Sequence, residues 1–160
     1  MFLYVNLSVQ LWSVHDVTDT YKGFIYALER ISEMGYDGVE FAGFGGIEAN
    51  EMRSHLERLS LKASGAHVSL NDLRNNLDNI IIYCREIDCR YIICPYAETN
   101  NYEETLALRD EFKEINRKIS KAGLVFGYHN HANEFVSFKG EYAFDILLSG
   151  DNSIVYELDT

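Results

Sequence analysis

One segment decides the fold that this sequence predicts: Gly127-Tyr128-His129-Asn130-His131-Ala132-Asn133-Glu134-Phe135. It directly follows the apolar run Leu124-Val125-Phe126. Because side chains alternate between the two faces of a strand, His129 and His131 share one face, and Tyr128 lies on the other. Two imidazoles on one face of an otherwise apolar segment predict the end of a buried strand that opens into a site.

The last residues of the chain repeat this alternation. In the segment 154–159, Glu157 and Asp159 share the face opposite to the apolar and aromatic side chains. Polar side chains also lie late in the earlier predicted strands, namely Gln10, Glu40 and His67. In a barrel of parallel strands, active sites form at the carboxyl ends, so we expect these acids and imidazoles to converge there.

Apolar residues alternate between strand-like and helix-like spacing along the chain. Strands are predicted at 3–12, 37–42, 62–68 and 91–94, from Gly123 onward, and at 153–159. Helices are predicted at 19–34, 48–59, 71–87, 101–121 and 142–148. Strands that alternate with helices in this way indicate a parallel sheet.

The predicted fold class is α/β, of the (β/α)8 TIM barrel type. A parallel sheet with helices on both faces needs strands that are apolar on both sides, whereas these strands carry one polar face. A barrel turns the apolar face toward its outer helices and the polar face toward its interior and mouth. A closed barrel has about eight strands. We therefore expect residues 1–160 to form a single barrel domain truncated after strand six. Its free strand edges would favour a homo-oligomer.

Composition narrows the function classes. The net charge of −11 repels phosphate backbones, so nucleic acid is not an expected partner. No apolar run approaches the ~18 residues of a membrane span, and the N-terminal residues lack the basic region of a signal peptide. Cys84, Cys89 and Cys94 lack zinc-site spacing and are expected to be buried, reduced thiols. The sequence therefore predicts a cytoplasmic protein without a membrane partner.

Five segments carry a resemblance to a known family, and they are 9–13, 34–41, 64–68, 128–135 and 156–160. With them the chain resembles the xylose isomerase-like TIM barrel superfamily. The resemblance is to the sugar phosphate isomerase/epimerase group in particular, which also includes members similar to AP endonuclease family 2. It runs along the whole chain, and segments 34–41 and 128–135 are specific in combination.

This resemblance implies a divalent metal ion at the barrel mouth, held by a Glu, an Asp, a His and a Glu on strands five to eight. Asp159 falls on the strand-six Asp, while His129 stands at the strand-five Glu. His67 falls on a strand-three His, and Cys94 replaces the strand-four His of the endonuclease-like members. That replacement, together with the charge, weakens a reading as a DNA-repair enzyme.

Isomerising or epimerising a sugar requires removal of a proton next to a carbonyl, which a metal ion polarises and a carboxylate assists. The expected metal ligands are Asp159, His129 and Glu157, and the expected catalytic residues are Glu157 and His129. Such mixed ligands suit manganese, zinc, cobalt or magnesium, among which the sequence does not distinguish.

The expected partner is a small-molecule sugar or sugar phosphate. Its expected contacts are His67, His131, Glu134, Trp12 and Glu40. Each has a purely structural alternative: an inward acid or imidazole paired inside the barrel, a solvated loop acid, or aromatic packing for Trp12. For Asp159 the alternative is a cap at the end of its strand.

Two other functions stay open at this stage. A related dehydratase or lyase acting on a cyclic polyol would share the metal ion and the base. A non-catalytic, truncated barrel fragment would lack half of the ligands that the resemblance implies. The sequence thus leaves open whether the 160-residue chain is itself an active enzyme.

Overall fold

The computed structural model describes residues 6–149 and 151–159, in which strands alternate with helices. The strands are β1 Ser8–Gln10, β2 Gly38–Ala42, β3 Lys62–His67, β4 Tyr91–Cys94, β5 Val125–His129, β6 Ser137–Phe138, β7 Glu141–Tyr142 and β8 Val155–Glu157. The helices are α1 His15–Thr18, α2 Tyr21–Glu33, α3 Ala49–Leu59, α4 Leu70–Asn75, α5 Leu77–Glu86, α6 Tyr102–Lys121 and α7 Ala143–Leu148. Short 3-10 turns cover Leu11–Val14 and Asn133–Phe135.

Two compact units divide the described residues. The first comprises residues 6–67 and 82–90, and the second comprises 68–81, 91–149 and 151–159. In the first, β2 pairs in parallel with β1 and with β3. In the second, β5 pairs in parallel with β4 and with β8, while β6 and β7 form a small antiparallel hairpin. Parallel strands joined by helices confirm the predicted α/β class, and the described residues contain six such strands.

In the first unit, one face of α2 packs on β2. Phe24, Leu28 and Ile31 recur at helical spacing and are buried, as are Val39 and Phe41 of β2. The rings of Phe24 and Phe41 stack with centroids 6.3 Å apart. Each such side chain contributes about 1.5–3 kcal/mol when fully buried, so this layer fixes the strand that carries Glu40.

In the second unit, α6 covers β5. The ring of Phe112 lies 5.4 Å from those of Phe126 and Tyr128, and all three side chains are buried. Asn101 caps α6 as its spacing to Glu104 predicted, since its side chain accepts the Glu104 N–H at 2.9 Å. Helix α6 thereby holds the strand that ends at His129.

Two predicted elements differ from the structure. The first strand was expected at 3–12, but only Ser8–Gln10 is extended, and Leu11–Val14 turns into a 3-10 helix; residues 3–5 lie outside the described residues. The helix expected at 71–87 is split at Asn76, whose φ of −137° is not helical. Asn side chains compete for backbone hydrogen bonds, which disfavours them inside helices.

All three cysteines are buried and free of disulfides, as predicted. Burial raises the pKa of the Cys94 thiol to about 12. A hydrogen bond with Cys89 together with burial raises the pKa of Cys84. Separately, none of the helices that the structure describes combines the length and the apolar character that crossing a bilayer requires.

An aromatic surface borders β8 in the second unit, and it consists of Phe135, Phe144 and Tyr156. The ring of Phe144 lies 5.7 Å from Phe135 and 5.5 Å from Tyr156. Phe135 is 50% exposed and Tyr156 54%, and the nearby Leu158 is 64% exposed. Contiguous exposed apolar side chains of this kind are typical of a surface that another element or chain covers.

Candidate functional site

The carboxyl end of β5 presents two imidazoles on one side. The rings of His129 and His131 lie 4.9 Å apart, as their alternation predicted. His129 is buried at 8% exposure, whereas His131 is exposed. Tyr96, which follows β4, meets the ring of His131 edge-on at 5.7 Å. This end of the unit therefore combines one sheltered imidazole with one that solvent reaches.

Two carboxylates approach the two ring nitrogens of His129. Nδ1 lies 3.2 Å from Oε1 of Glu157, and Nε2 lies 3.8 Å from Oδ2 of Asp159. The parallel pairing of β5 with β8 sets His129 directly opposite Glu157. The expected convergence of His129, Glu157 and Asp159 is therefore present within the second unit.

The shorter of these contacts fixes the state of the ring. An ionised carboxylate only accepts hydrogen bonds, so Nδ1 of His129 carries the proton that it donates to Glu157. In the neutral imidazole, Nε2 then keeps a lone pair, and that lone pair is directed to the side of Asp159. A carboxylate that holds the distal nitrogen of a metal-binding His in this manner is a recurrent arrangement.

The longer contact fits a shared cation. A separation of 3.8 Å is too long for a hydrogen bond between Nε2 of His129 and Asp159. It suits two ligands that each lie about 2.0–2.2 Å from one ion. The side chain of Asp159 is 66% exposed, so its carboxylate is accessible to an ion from solvent. The donor set thus fits a divalent ion at His129 Nε2 and Asp159, with Glu157 supporting the ring from the other nitrogen.

Glu134 lies in a different setting from the one expected of a substrate contact. It is fully buried, and its oxygens accept hydrogen bonds from the Tyr128 hydroxyl, the His131 N–H at 2.8 Å and Asn133 Nδ2 at 3.2 Å. Burial is the main cause that raises the pKa of the Tyr128 hydroxyl, which therefore remains a donor. We revise the expected role of Glu134 accordingly: it holds the loop that carries His131.

The first unit brings together Gln10 at the end of β1, Glu40 within β2 and His67 at the end of β3. Oε2 of Glu40 accepts a hydrogen bond from Gln10 Nε2 at 3.1 Å and lies 3.5 Å from Nε2 of His67. Gly65, paired opposite Glu40, makes room for this carboxylate, because a Cβ at Gly65 would lie 2.7 Å from Oε1. Glu40 thus orients His67, whatever else His67 contacts.

Trp12 is exposed at the end of β1. Its ring is 62% exposed and stacks on His15, with centroids 4.6 Å apart and planes 15° apart. Nδ1 of His15 lies 2.8 Å from the Trp12 carbonyl oxygen, which fixes the stack. The packing alternative for Trp12 is therefore disfavoured, and an open aromatic face is available to a ligand.

Sequence reasoning missed three residues of these clusters: Tyr96, Gly65 and Asn130. Tyr96 comes two residues after β4, so the rule that active sites gather at the carboxyl ends of strands would have included it. Gly65 acts by leaving space for Glu40, and Asn130 acts through its carboxamide, so both can be recognised only when the strand register is known.

The first prediction concerns the buried carboxylate. Glu134→Gln replaces one acceptor oxygen by an amide that faces donors, so we expect a loss of about 1–3 kcal/mol in the free energy of unfolding. Urea denaturation measures it. Glu141→Gln, on exposed β7, is the matched control and should change stability little. Equal stability of both variants would contradict the role assigned to Glu134.

The second prediction concerns Gly65. In Gly65→Ala the Glu40 carboxylate can swing away, but it then loses its bonds to Gln10 and His67, at a cost of about 1–2 kcal/mol. In a Glu40→Ala background the same substitution should cost almost nothing. A double-mutant cycle by urea denaturation measures this coupling. Additive effects would show that Gly65 does not serve the Glu40 carboxylate.

Comparison with known proteins gives similarity in structure rather than in sequence. No family model and no curated protein sequence matches the chain. It is similar to a sugar phosphate isomerase/epimerase from Parabacteroides distasonis ATCC 8503, with a TM-score of 0.77 and 18% identity over 99% of this chain and 67% of that one. It is also similar to an AP endonuclease, family 2, from Brucella melitensis, with a TM-score of 0.71 and 14% identity over 97% of this chain and 69% of that one.

Two further structures bear on chemistry. One is the probable 3-DHS dehydratase AsbF from Bacillus anthracis, with a TM-score of 0.73 and 11% identity over 97% of this chain and 63% of that one. The other is the IOLI protein with a bound zinc atom, with a TM-score of 0.58 and 12% identity over 81% of this chain and 53% of that one. At these identities the likeness shows the fold. The chain shares the TIM-barrel fold of these proteins over the part that it covers, and it spans about two thirds or less of each of these four proteins.

Proposed function

We propose that this chain belongs to a divalent-metal-dependent isomerase or epimerase of a sugar or sugar phosphate. The observation that carries the proposal is the imidazole of His129, held at Nδ1 by Glu157 and directed at Nε2 toward Asp159. The similar sugar phosphate isomerase/epimerase supports the substrate class. A cation held by this pair of groups would lie beside a carboxylate, which suits proton transfer next to a polarised carbonyl.

The proposed roles follow from position. Asp159 and His129 would hold the ion, which would supply Lewis-acid polarisation of a substrate carbonyl. Glu157, at 27% side-chain exposure, is the proposed acceptor of the substrate proton, since Asp159, the other carboxylate beside His129, is assigned to the ion. Its contact with His129 Nδ1 also holds the imidazole in place, so Glu157 is proposed both to orient the ring and to accept the proton.

Substrate contacts are proposed in each unit. In the second, exposed His131, with Tyr96 beside it, offers a ring nitrogen to a sugar hydroxyl. In the first, His67, oriented by Glu40, and the open face of Trp12 are the proposed contacts. An aromatic face suits the apolar side of a sugar ring, whereas an imidazole suits its hydroxyls.

The ion is proposed to be manganese, zinc, cobalt or magnesium, and the zinc atom of the IOLI protein makes zinc a natural first choice to test. We retain a cytoplasmic location as part of the proposal, because free buried thiols suit a reducing compartment. The net charge of −11 opposes a nucleic-acid substrate, even though one similar structure is an endonuclease.

A dehydratase or lyase acting on a polyol is the second candidate. It is favoured by the similarity to the probable 3-DHS dehydratase, and it would use the same ion and the same carboxylate. Product analysis on a panel of sugars, sugar phosphates and cyclic polyols separates the two, because a lyase releases water and leaves an unsaturated product.

The third prediction tests the cation site. Calorimetric titration of the purified chain with Mn²⁺ and Zn²⁺ should give one saturable site, and Asp159→Asn should weaken it about tenfold or more, since it removes the ligand's charge. Asp145→Asn, an exposed acid of α7, is the matched control and should bind like the wild type. Absence of binding by the wild type would overturn the enzyme proposal and favour a non-catalytic fragment.

The fourth prediction concerns self-association. We propose that the aromatic surface beside the outer edge of β8 pairs with a second copy, because exposed edges and apolar side chains attract other chains. Sedimentation velocity should show a larger species as concentration rises, and Leu158→Lys should suppress it. Ile82→Lys, at an exposed position of α5, is the control and should leave the larger species intact. A monomer at every concentration would contradict this proposal.

A further inference from the structure

We infer that Asn130 is a positioning residue that sets where the Asp159 carboxylate lies relative to His129. This rests on the proposed function, since the role of Asp159 as a metal ligand comes from it. The inference itself concerns the link between Asn130, which directly follows β5, and the chain that leaves β8.

The backbone pairing of β5 with β8 ends one step before Asp159 is reached. Its last paired residues are His129 and Glu157. Beyond them the Asn130 side chain replaces the backbone as the hydrogen-bonding partner of Asp159. Its Nδ2 donates to the Asp159 carbonyl oxygen at 3.2 Å, and its Oδ1 accepts the Asp159 N–H at 3.2 Å. A carboxamide offers one donor side and one acceptor side, as a peptide group does, so it continues the ladder by side chain.

This contact engages Asn130 fully. The residue is 2% exposed, and both polar ends of its carboxamide are bonded to the backbone of Asp159. It is therefore not offered to a substrate. Burying a carboxamide is favourable only when its groups are paired, which makes this two-point contact costly to break.

The same two hydrogen bonds hold Asp159 in place beyond the end of β8. The Asp159 side chain is 66% exposed, and β8 ends at Glu157, so regular strand pairing does not hold this residue. The two hydrogen bonds from the Asn130 side chain, here called the Asn130 clamp, hold the N–H and the C=O of Asp159 together. This restricts the positions that the Asp159 carboxylate can adopt. His129 precedes Asn130 in the chain, so the imidazole and the clamp for its carboxylate partner are tied by one peptide bond.

Two measurements on one set of variants test this. Asn130→Ala should speed hydrogen exchange of the Asp159 amide about tenfold and weaken Mn²⁺ binding about fivefold to tenfold, because the carboxylate is no longer held near Nε2. Asn130→Asp keeps the acceptor for the Asp159 N–H but loses the donor to its carbonyl oxygen. Its amide exchange should therefore lie between those of the wild type and Asn130→Ala, which also guards against misfolding of the alanine variant.

Asn133→Ala is the matched control. Asn133 is in the same loop, and its Nδ2 bonds the Ala97 carbonyl oxygen at 3.3 Å and Glu134 Oε1 at 3.2 Å, not Asp159. It should leave Asp159 exchange and Mn²⁺ affinity within twofold of the wild type. If it weakens Mn²⁺ as much as Asn130→Ala does, general loosening of the loop explains the effect and the inference is overturned.

The outcomes separate this inference from the proposed function. Unchanged Asp159 exchange in Asn130→Ala refutes the clamp. Faster exchange with unchanged Mn²⁺ affinity leaves Asn130 a structural residue and refutes the positioning role alone. If Asp159→Asn and wild type both fail to bind, the proposed function falls and the positioning role falls with it, while the exchange data still report on the clamp.

Discussion

The parallel pairing of β5 with β8 is the constraint on which the candidate site depends. It places His129 opposite Glu157, and with the Asn130 clamp it carries the chain on to Asp159. The imidazole then meets one carboxylate at each nitrogen, at 3.2 Å and 3.8 Å. Shifting the register of β8 by one residue would turn Glu157 to the opposite face and separate it from His129.

Side-chain alternation was enough to predict the members of this cluster. The pattern of apolar and polar residues identifies the face that carries His129 and His131, and the two acids at 157 and 159, without coordinates. It could not show which ring nitrogen of His129 faces Glu157 and which faces Asp159, because that depends on interatomic distances. It also assigned Glu134 a substrate contact that the structure does not favour. A carboxylate in a polar loop is expected to be solvated, and only the structure shows that the Tyr128 hydroxyl and two amide groups surround it.

In the first unit, too, side-chain alternation could not predict how the site residues are arranged. A β-bulge shifts the register of β2 against β3 between Val39 and Glu40, so that Gly65 and not Ser64 stands opposite Glu40. A bulge adds one residue to one strand and leaves no clear mark in the hydrophobic pattern. The alternation therefore predicted Glu40 and His67 on a common face but gave no reason for a glycine between them. The split of the helix at Asn76 was missed for a related reason, since buried residues continue on both sides of it.

The buried cysteines have a consequence for the chemical durability of the protein. Thiols react with oxidants and alkylating agents as thiolates, and burial raises the pKa of Cys94 to about 12, which keeps this thiol protonated near neutral pH. Cys84 and Cys89, equally sheltered, are shielded from reagents by packing. Labelling reagents aimed at sulfur would therefore report unfolding of this chain, because modification becomes fast only when the layers of helix over strand come apart.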